Sequence, residues 1–127
     1  MLRALLIIIV LWHIPQTANS ANSDRGARLY GRCTGCHSLD YDRTGPRHCG
    51  LIGRKAGAVT GFNYSKAMKN SSVLWSEKTL DAFLKNPRGF MPGNRMPYAG
   101  IKNDQDRADL IAFLVTANND LEQCAQD

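Results

Sequence analysis

Two cysteines and a histidine stand together in the segment CTGCH, where Cys33 and Cys36 are three positions apart and His37 follows directly. Three kinds of chemistry use this pattern: a redox-active dithiol, half of a zinc site, or two thioether bonds to the vinyl groups of a haem whose iron the imidazole approaches. Each of them needs different surroundings in the chain. The rest of the sequence therefore has to distinguish them.

The dithiol and the zinc site lack the surroundings that they require. A redox dithiol opens a helix after a strand, in a βαβ unit, whereas this motif follows a helical segment. A zinc site needs further ligands at regular spacing, and although His48, Cys49 and Cys124 are candidates, no second C-x-x-C or H-x-x-x-H follows. The order of the residues favours one covalently attached haem.

A haem iron that carries electrons needs a second axial ligand, and a methionine sulfur there raises the potential by favouring ferrous iron. Beyond residue 20 the chain has Met68, Met91 and Met96. Met96 lies in PGNRMPYAGIK, where the neighbouring prolines stiffen a loop that can present one side chain inward. Met96 is therefore a candidate for the second ligand.

The first twenty residues have the pattern of a signal peptide. MLRALLIIIVLW has one early positive charge, Arg3, followed by a continuous apolar run, and small residues surround a cut after Ser20. The run is about half of the roughly 20 residues that a spanning helix needs. We expect export to the periplasm, no stable membrane insertion after cleavage, and a single domain over 21–127. In that compartment cysteines can be oxidised or covalently capped.

The charge of the chain is modestly basic, with a formal net value of +5 at pH 7. Its Lys and Arg residues are dispersed, whereas a nucleic-acid groove shows them clustered with stacking aromatics, so we expect no nucleic-acid partner. A small positive excess suits a surface that steers toward an acidic protein.

Three helices have to position these residues. The sequence predicts them over 23–33 with Ser23 as the N-cap, over 76–87 with an end at Asn86 and Pro87, and over 103–121, where apolar residues recur at helical spacing. A short helix is expected near 65–69. No segment alternates like a strand, and the long Gly- and Pro-rich loops between the helices are typical of a chain that wraps a functional group. The predicted fold is all-α.

Several further segments follow CTGCH in order: TGP, GLIGRKAG, FNYSKAM, LWSEKTLDAFLKNP, PGNRMPYAGIK and DLIAFL. With them, residues 24–120 resemble the class I c-type cytochromes, the family of mitochondrial cytochrome c and its short bacterial relatives. The resemblance implies the all-α cytochrome c fold, a few helices and long loops around one covalent haem c. It also implies a one-electron carrier and not an enzyme.

The resemblance assigns the haem ligands residue by residue. It implies thioether bonds at Cys33 and Cys36, His37 as the proximal iron ligand, and Met96 as the distal one in preference to Met91. An iron with both axial positions filled has no vacancy for a substrate.

The resemblance also implies contacts around the haem. The Pro46 carbonyl would accept the other ring N–H of His37, and Arg54, Tyr64 and Trp75 match positions that face a haem propionate. Gly26 would let the first and last helices approach closely. The family often has a threonine where this chain has Asn94.

Five basic residues match family positions around the exposed haem edge: Arg32, Arg43, Arg88, Arg95 and Lys102. The resemblance implies that they orient a monomer onto acidic patches of a reductase and an oxidase, or of a dehydrogenase. An alternative function is a dedicated electron-accepting subunit of one exported dehydrogenase.

Cys49 and Cys124 are additional to the family pattern. In an oxidising compartment two spare cysteines favour a disulfide, since the family fold brings the loop of Cys49 near the last helix. Closing a loop of 75 positions would stabilise the fold by about 4 kcal/mol. Two unlinked thiols are the alternative.

Overall fold

A computed structural model describes residues 20–120 and 122–124 of the chain. Residues 1–19, which hold nearly all of the predicted signal peptide, lie outside the described residues. Five helices follow one another in the described part: α1 (Ser23–Tyr30), α2 (Lys66–Lys69), α3 (Glu77–Lys85), α4 (Pro87–Phe90) and α5 (Asp104–Asn118). An isolated bridge between Lys55 and Leu74 is the nearest approach to a sheet within these residues. The predicted all-α fold is confirmed.

Helix α1 begins where expected but has a different cap. The Asn22 side chain accepts a hydrogen bond from the Arg25 N–H at 2.8 Å, so Asn22 and not Ser23 is the N-cap. The Ser23 hydroxyl instead donates to the hydroxyl of Thr116 in α5 at 3.1 Å. The helix ends at Tyr30, three residues before the predicted end, because Gly31 has low helix propensity. Turns then carry the chain through 31–36.

Helices α3 and α4 adjoin at Asn86. Ser76 caps α3 with a capping box, and the helix ends at Lys85, close to the predicted position. The short helix α4 was not expected, because a proline usually marks the end of a helix. Pro87 occupies its first turn, where no N–H is needed, and the Asn86 side chain accepts from the Gly89 N–H at 3.2 Å.

The first and last helices cross at Gly26. A Cβ atom built on Gly26 would lie 1.9 Å from the carbonyl oxygen of Asp109, so only a glycine permits this approach. One turn further along α1, the Tyr30 ring lies 5.1 Å from the ring of Phe113, centroid to centroid. The close approach expected at Gly26 is present.

The buried face of α5 contains two charged residues that periodicity did not predict. The helical spacing over 103–121 predicts a core stripe, of which Leu110, Leu114 and Ala117 are buried and Phe113 is half-buried. Leu121, which shares that spacing, lies outside the described residues. Arg107 and Asp109 are buried as well. Arg107 donates to the Ile101 carbonyl at 2.9 Å and to the Asp81 carboxylate at 2.7 Å, which ties α5 to the preceding loop and to α3.

Within residues 20–120 and 122–124, no helix has the length and the apolar character that crossing a membrane requires.

Candidate functional site

A cavity of about 450 Å³ opens into the centre of the helices and loops. Much of its wall is formed by residues that are themselves part of the hydrophobic core: Leu51, Leu80, Phe83, Leu84, Ile101, Leu110 and Leu114. Core side chains that face water in an open cavity lose the stabilisation of burial, which is about 25 cal/mol per Å² of apolar surface. The core therefore fits a large apolar ligand.

The CTGCH segment contributes one side of this cavity. The Cys36 and His37 N–H groups both donate to the Cys33 carbonyl, at 3.0 and 2.9 Å, and this turn brings all three side chains to the cavity wall. Burial raises the pKa of the Cys33 thiol to about 11. A reactive dithiol needs a lowered thiol pKa, so the environment does not suit redox exchange.

A zinc site finds no support in the part of the chain that the structure describes. There, no three side chains among His, Cys, Asp and Glu come together as a metal site would need. The thiol pair and the histidine instead face an apolar space, and this donor set suits a porphyrin better than a bare cation.

The His37 ring is held by three neighbours. Its Nδ1–H donates to the Pro46 carbonyl at 2.8 Å, as the resemblance implied, so the other ring nitrogen is left for a metal. A Cβ atom at Gly45 would lie 2.3 Å from the ring, so Gly45 is required for this packing. The His48 ring stacks on the His37 ring with centroids 4.2 Å apart. Burial lowers the pKa of His37, which favours the neutral form that a metal ligand needs.

The loop after α4 brings Met96 to the cavity. Met96 and Met68 both line the cavity, whereas Met91 is packed in the core with 6% of its surface exposed. The Asn94 side chain organises this loop. It accepts from the Met96 N–H at 2.9 Å and donates to the carbonyls of Pro87 at 2.8 Å and Met91 at 2.7 Å. The sequence did not reveal this role of Asn94.

Arg54, Tyr64 and Trp75 all line the cavity. The Arg54 guanidinium donates to the carbonyls of Cys49 at 2.9 Å and Arg47 at 2.8 Å, so its charge is fixed in place without a carboxylate partner on these nitrogens. The backbone N–H of Trp75 donates to the Arg54 carbonyl at 2.9 Å. Burial raises the pKa of the Tyr64 hydroxyl, and the nearby Arg54 opposes this change. A fixed positive charge beside polar aromatic groups suits the carboxylate of a ligand.

The five basic residues of the predicted docking surface are all exposed. Arg32 and Arg95 line the mouth of the cavity, whereas Arg88 and Lys102 are not among its lining residues. Arg43 donates to the carbonyl of Thr34 inside CTGCH. Arg95 donates to the Asn63 carbonyl at 2.8 Å, which holds its charge beside Met96 without neutralising it.

Cys49 and Cys124 lie next to one another, and the structure joins their sulfur atoms. Their Cα atoms are 5.3 Å apart, within the ordinary range for a disulfide. Cys124 is buried, and Cys49 Sγ lies 3.4 Å from the carbonyl oxygen of the neighbouring Gln123. The arrangement is compatible with the predicted bridge.

A small helical protein whose apolar cavity is lined by a C-x-x-C-H motif, by methionines and by a fixed arginine has the architecture of a c-type haem protein. The family model for cytochrome c matches residues 23–118. The chain belongs to the cytochrome c family. Members of this family are electron carriers that hold one covalently attached haem c and exchange electrons with redox partners. The recognition from sequence motifs is confirmed.

Individual relatives agree with this assignment. Cytochrome c2 of Rhodomicrobium vannielii is 46% identical over 95 residues, which are 72% of this chain and 76% of the relative. Cytochrome c of Trypanosoma brucei brucei is 54% identical over 72 residues, 57% of this chain and 77% of the relative. The solved structure of cytochrome cH from Methylobacterium extorquens has a TM-score of 0.74 and 31% identity, over 76% of this chain and 99% of that one.

Proposed function

We propose that this protein is a periplasmic one-electron carrier whose haem is bonded to Cys33 and Cys36 and ligated by His37 and Met96. The observation that carries the proposal is one cavity whose lining includes two thiols, a ring nitrogen left free by the Pro46 carbonyl, and a thioether. When bound, the haem supplies a reversible ferric–ferrous couple. Filling both axial positions from the chain leaves no place for a substrate, which favours a carrier over an enzyme.

The residues around the cavity tune that couple. The carbonyl of Pro46 increases the basicity of His37, while the thioether of Met96 favours the ferrous state. Phe83 and the surrounding core residues exclude water and disfavour the extra charge of the ferric state. Arg54 provides a fixed charge for a propionate.

Spectra of two methionine variants test the ligation. We expect Met96→Ala to lose the absorption band of the ferric iron–thioether bond, to bind carbon monoxide when reduced and to have a lower midpoint potential. Met91→Leu is the control, because Met91 packs in the core and should leave ligand and band unchanged. Loss of the band in Met91→Leu but not in Met96→Ala would overturn the assignment. A protein whose denatured mass is that of the bare polypeptide would overturn covalent attachment.

The exposed basic residues would orient the carrier toward acidic partners. Arg95 and Arg28 form a matched pair, since each is exposed and donates to a backbone carbonyl, but only Arg95 lines the cavity mouth. Arg95→Gln should slow reduction by an acidic redox partner at low salt, and Arg28→Gln should have little effect. Equal rates for the two variants, or rates independent of ionic strength, would refute steering. Reaction with one exported dehydrogenase and no other partner would favour the dedicated-subunit alternative.

The proposal includes removal of residues 1–20 and a monomeric single domain over 21–127. The apolar run after Arg3 supports export. N-terminal sequencing of protein from a periplasmic fraction should begin near Ala21, and light scattering should give the mass of one chain with its haem. An N-terminus at Met1 would contradict cleavage, and the mass of two chains would contradict the monomer.

The proposal also includes a disulfide between Cys49 and Cys124. The Cα separation of 5.3 Å supports it. Peptide mapping without reductant should recover the two cysteines in one linked pair, and Cys124→Ser should lower the free energy of unfolding by about 4 kcal/mol. Recovery of both thiols free would reject the bridge.

A further inference from the structure

His48 occupies a place for which the haem motifs give no reason. Its ring lines the cavity and stacks on the His37 ring, with centroids 4.2 Å apart and planes inclined by 23°. His48 lies between the Pro46 that hydrogen-bonds His37 and the Cys49 of the predicted bridge. An aliphatic residue could fill the same space, so the use of an imidazole calls for a reason.

The side chain and the backbone of His48 are each fixed by other elements. The hydroxyl of Tyr30, at the end of α1, lies 3.1 Å from His48 Nδ1. The His48 carbonyl accepts a hydrogen bond from the side chain of Asn118, at the end of α5, at 3.2 Å. The His48 N–H is directed at the carbonyls of Ser38 at 3.0 Å and Leu39 at 3.1 Å. The ring therefore has a defined plane and position.

The other contacts of His37 leave one motion of its ring for His48 to restrict. The bond to the Pro46 carbonyl restrains Nδ1, but a hydrogen bond tolerates some deviation in distance and angle. Within that tolerance, rotation about the bond between Cβ and the ring is limited by groups that lie against a ring face. Gly45 is one such group, since a Cβ there would meet three atoms of the ring at 2.3 to 2.6 Å. The His48 ring is a second.

We propose that His48, oriented by Tyr30, is a positioning residue that sets the ring plane of His37. The inference rests on the proposed role of His37 as the proximal ligand. The imidazole plane of an axial ligand decides which iron d orbital it overlaps, and so how the unpaired electron of ferric iron is distributed over the porphyrin. His48 thus controls the electronic asymmetry of the haem without touching the iron.

Proton NMR of the ferric protein tests this role, because the four haem methyl resonances report that distribution. Tyr30→Phe removes only the hydroxyl, and its ring can keep its contact with Phe113. We expect a changed spread of the methyl resonances in Tyr30→Phe and a larger change, in the same direction, in His48→Leu. The iron–thioether band should persist in both variants. His48→Phe keeps a flat ring but loses the contact with the Tyr30 hydroxyl, so its change should lie between those of Tyr30→Phe and His48→Leu.

The control is Val59→Ala, which removes volume from a residue that is buried but does not line the cavity. It should reduce stability and leave the methyl pattern unchanged. If Tyr30→Phe and His48→Leu both keep the haem methyl resonances of the wild type, the proposal is wrong, whether or not their stability is lower. If His48→Leu fails to fold, Tyr30→Phe and His48→Phe decide alone. Failure of the proposed haem ligation would be visible already in the wild-type spectrum, whereas failure of this inference would be confined to the variants.

Discussion

A methyl group added at Gly26 measures how closely the first and last helices must pack. In Gly26→Ala the new Cβ would lie 1.9 Å from the carbonyl oxygen of Asp109 and 2.8 Å from the Cβ of Phe113. Ordinary contact needs at least 3.4 Å, so α1 would have to move away by about 1.5 Å. The obstacles are backbone and Cβ atoms, which no change of rotamer can remove.

The expected loss of stability follows from two opposing effects. Overpacking costs about 1–3 kcal/mol, and the upper end applies here because relief requires movement of a whole helix. Alanine regains about 1 kcal/mol of helix propensity relative to glycine. The net loss is about 2 kcal/mol, or a fall in Tm of about 10 °C.

Denaturant unfolding of the haem-loaded protein is the assay, with a lower midpoint and an unchanged m-value as the expected result. Gly31→Ala is the control, because Gly31 is exposed, has helical φ and ψ of −51° and −26°, and would place its Cβ 3.2 Å from the Arg28 carbonyl. It should change the free energy of unfolding by less than about 0.5 kcal/mol. Equal stabilities of the two variants would refute the reasoning about the crossing.

Three further predictions concern polar groups. Hydrogen bonds from the Asn22 N–H and from neighbouring side chains lower the pKa of Asp109. The carboxylate therefore stabilises the fold above about pH 4, and this stabilisation is lost as the pH falls through the lowered pKa of the folded state. Asp109→Asn should reduce this loss when the free energy of unfolding is measured against pH. Arg107→Met leaves a buried carbonyl without its donor and should cost about 2 kcal/mol in urea unfolding. Asn94→Ala frees the loop of Met96, and stopped-flow mixing of the ferric protein with added imidazole should show faster ligand exchange than in the wild type.

The helices could be predicted wherever local signals and the apolar pattern agree. Ser76 followed by an amphipathic segment defines α3, and the buried positions of Leu110 and Leu114 follow from helical spacing. Helix α4 escaped prediction because Pro87 ends one helix and begins the next, and sequence alone does not distinguish these two uses of a proline. The capping role of Asn22 was missed because Ser23 has an equally suitable side chain.

Residue spacing alone predicts the site only where its chemistry is local in sequence. CTGCH brings its three side chains together through one turn, so its spacing is informative. The positions of Pro46 and Arg54 were expected from the family resemblance and not from spacing, and no local pattern marks the roles of Asp109 and His48. The carboxylate of the buried Asp109 accepts a hydrogen bond from the Asn22 N–H at the start of α1, which only the folded chain brings near. The His48 ring lies beside the hydroxyl of Tyr30, a residue 18 positions earlier.

The crossing of the helices and the orientation of the proximal ligand should therefore be linked. Tyr30 lies one turn after Gly26 on α1, so a movement of α1 away from α5 also moves the Tyr30 hydroxyl relative to His48. Gly26→Ala should consequently change the haem methyl pattern in the direction of Tyr30→Phe, although the two residues share no bond. Gly31→Ala should not. If Gly26→Ala lowers stability but retains the wild-type methyl pattern, α1 adjusts without carrying Tyr30 with it, and the proposed link between the crossing and His37 is wrong.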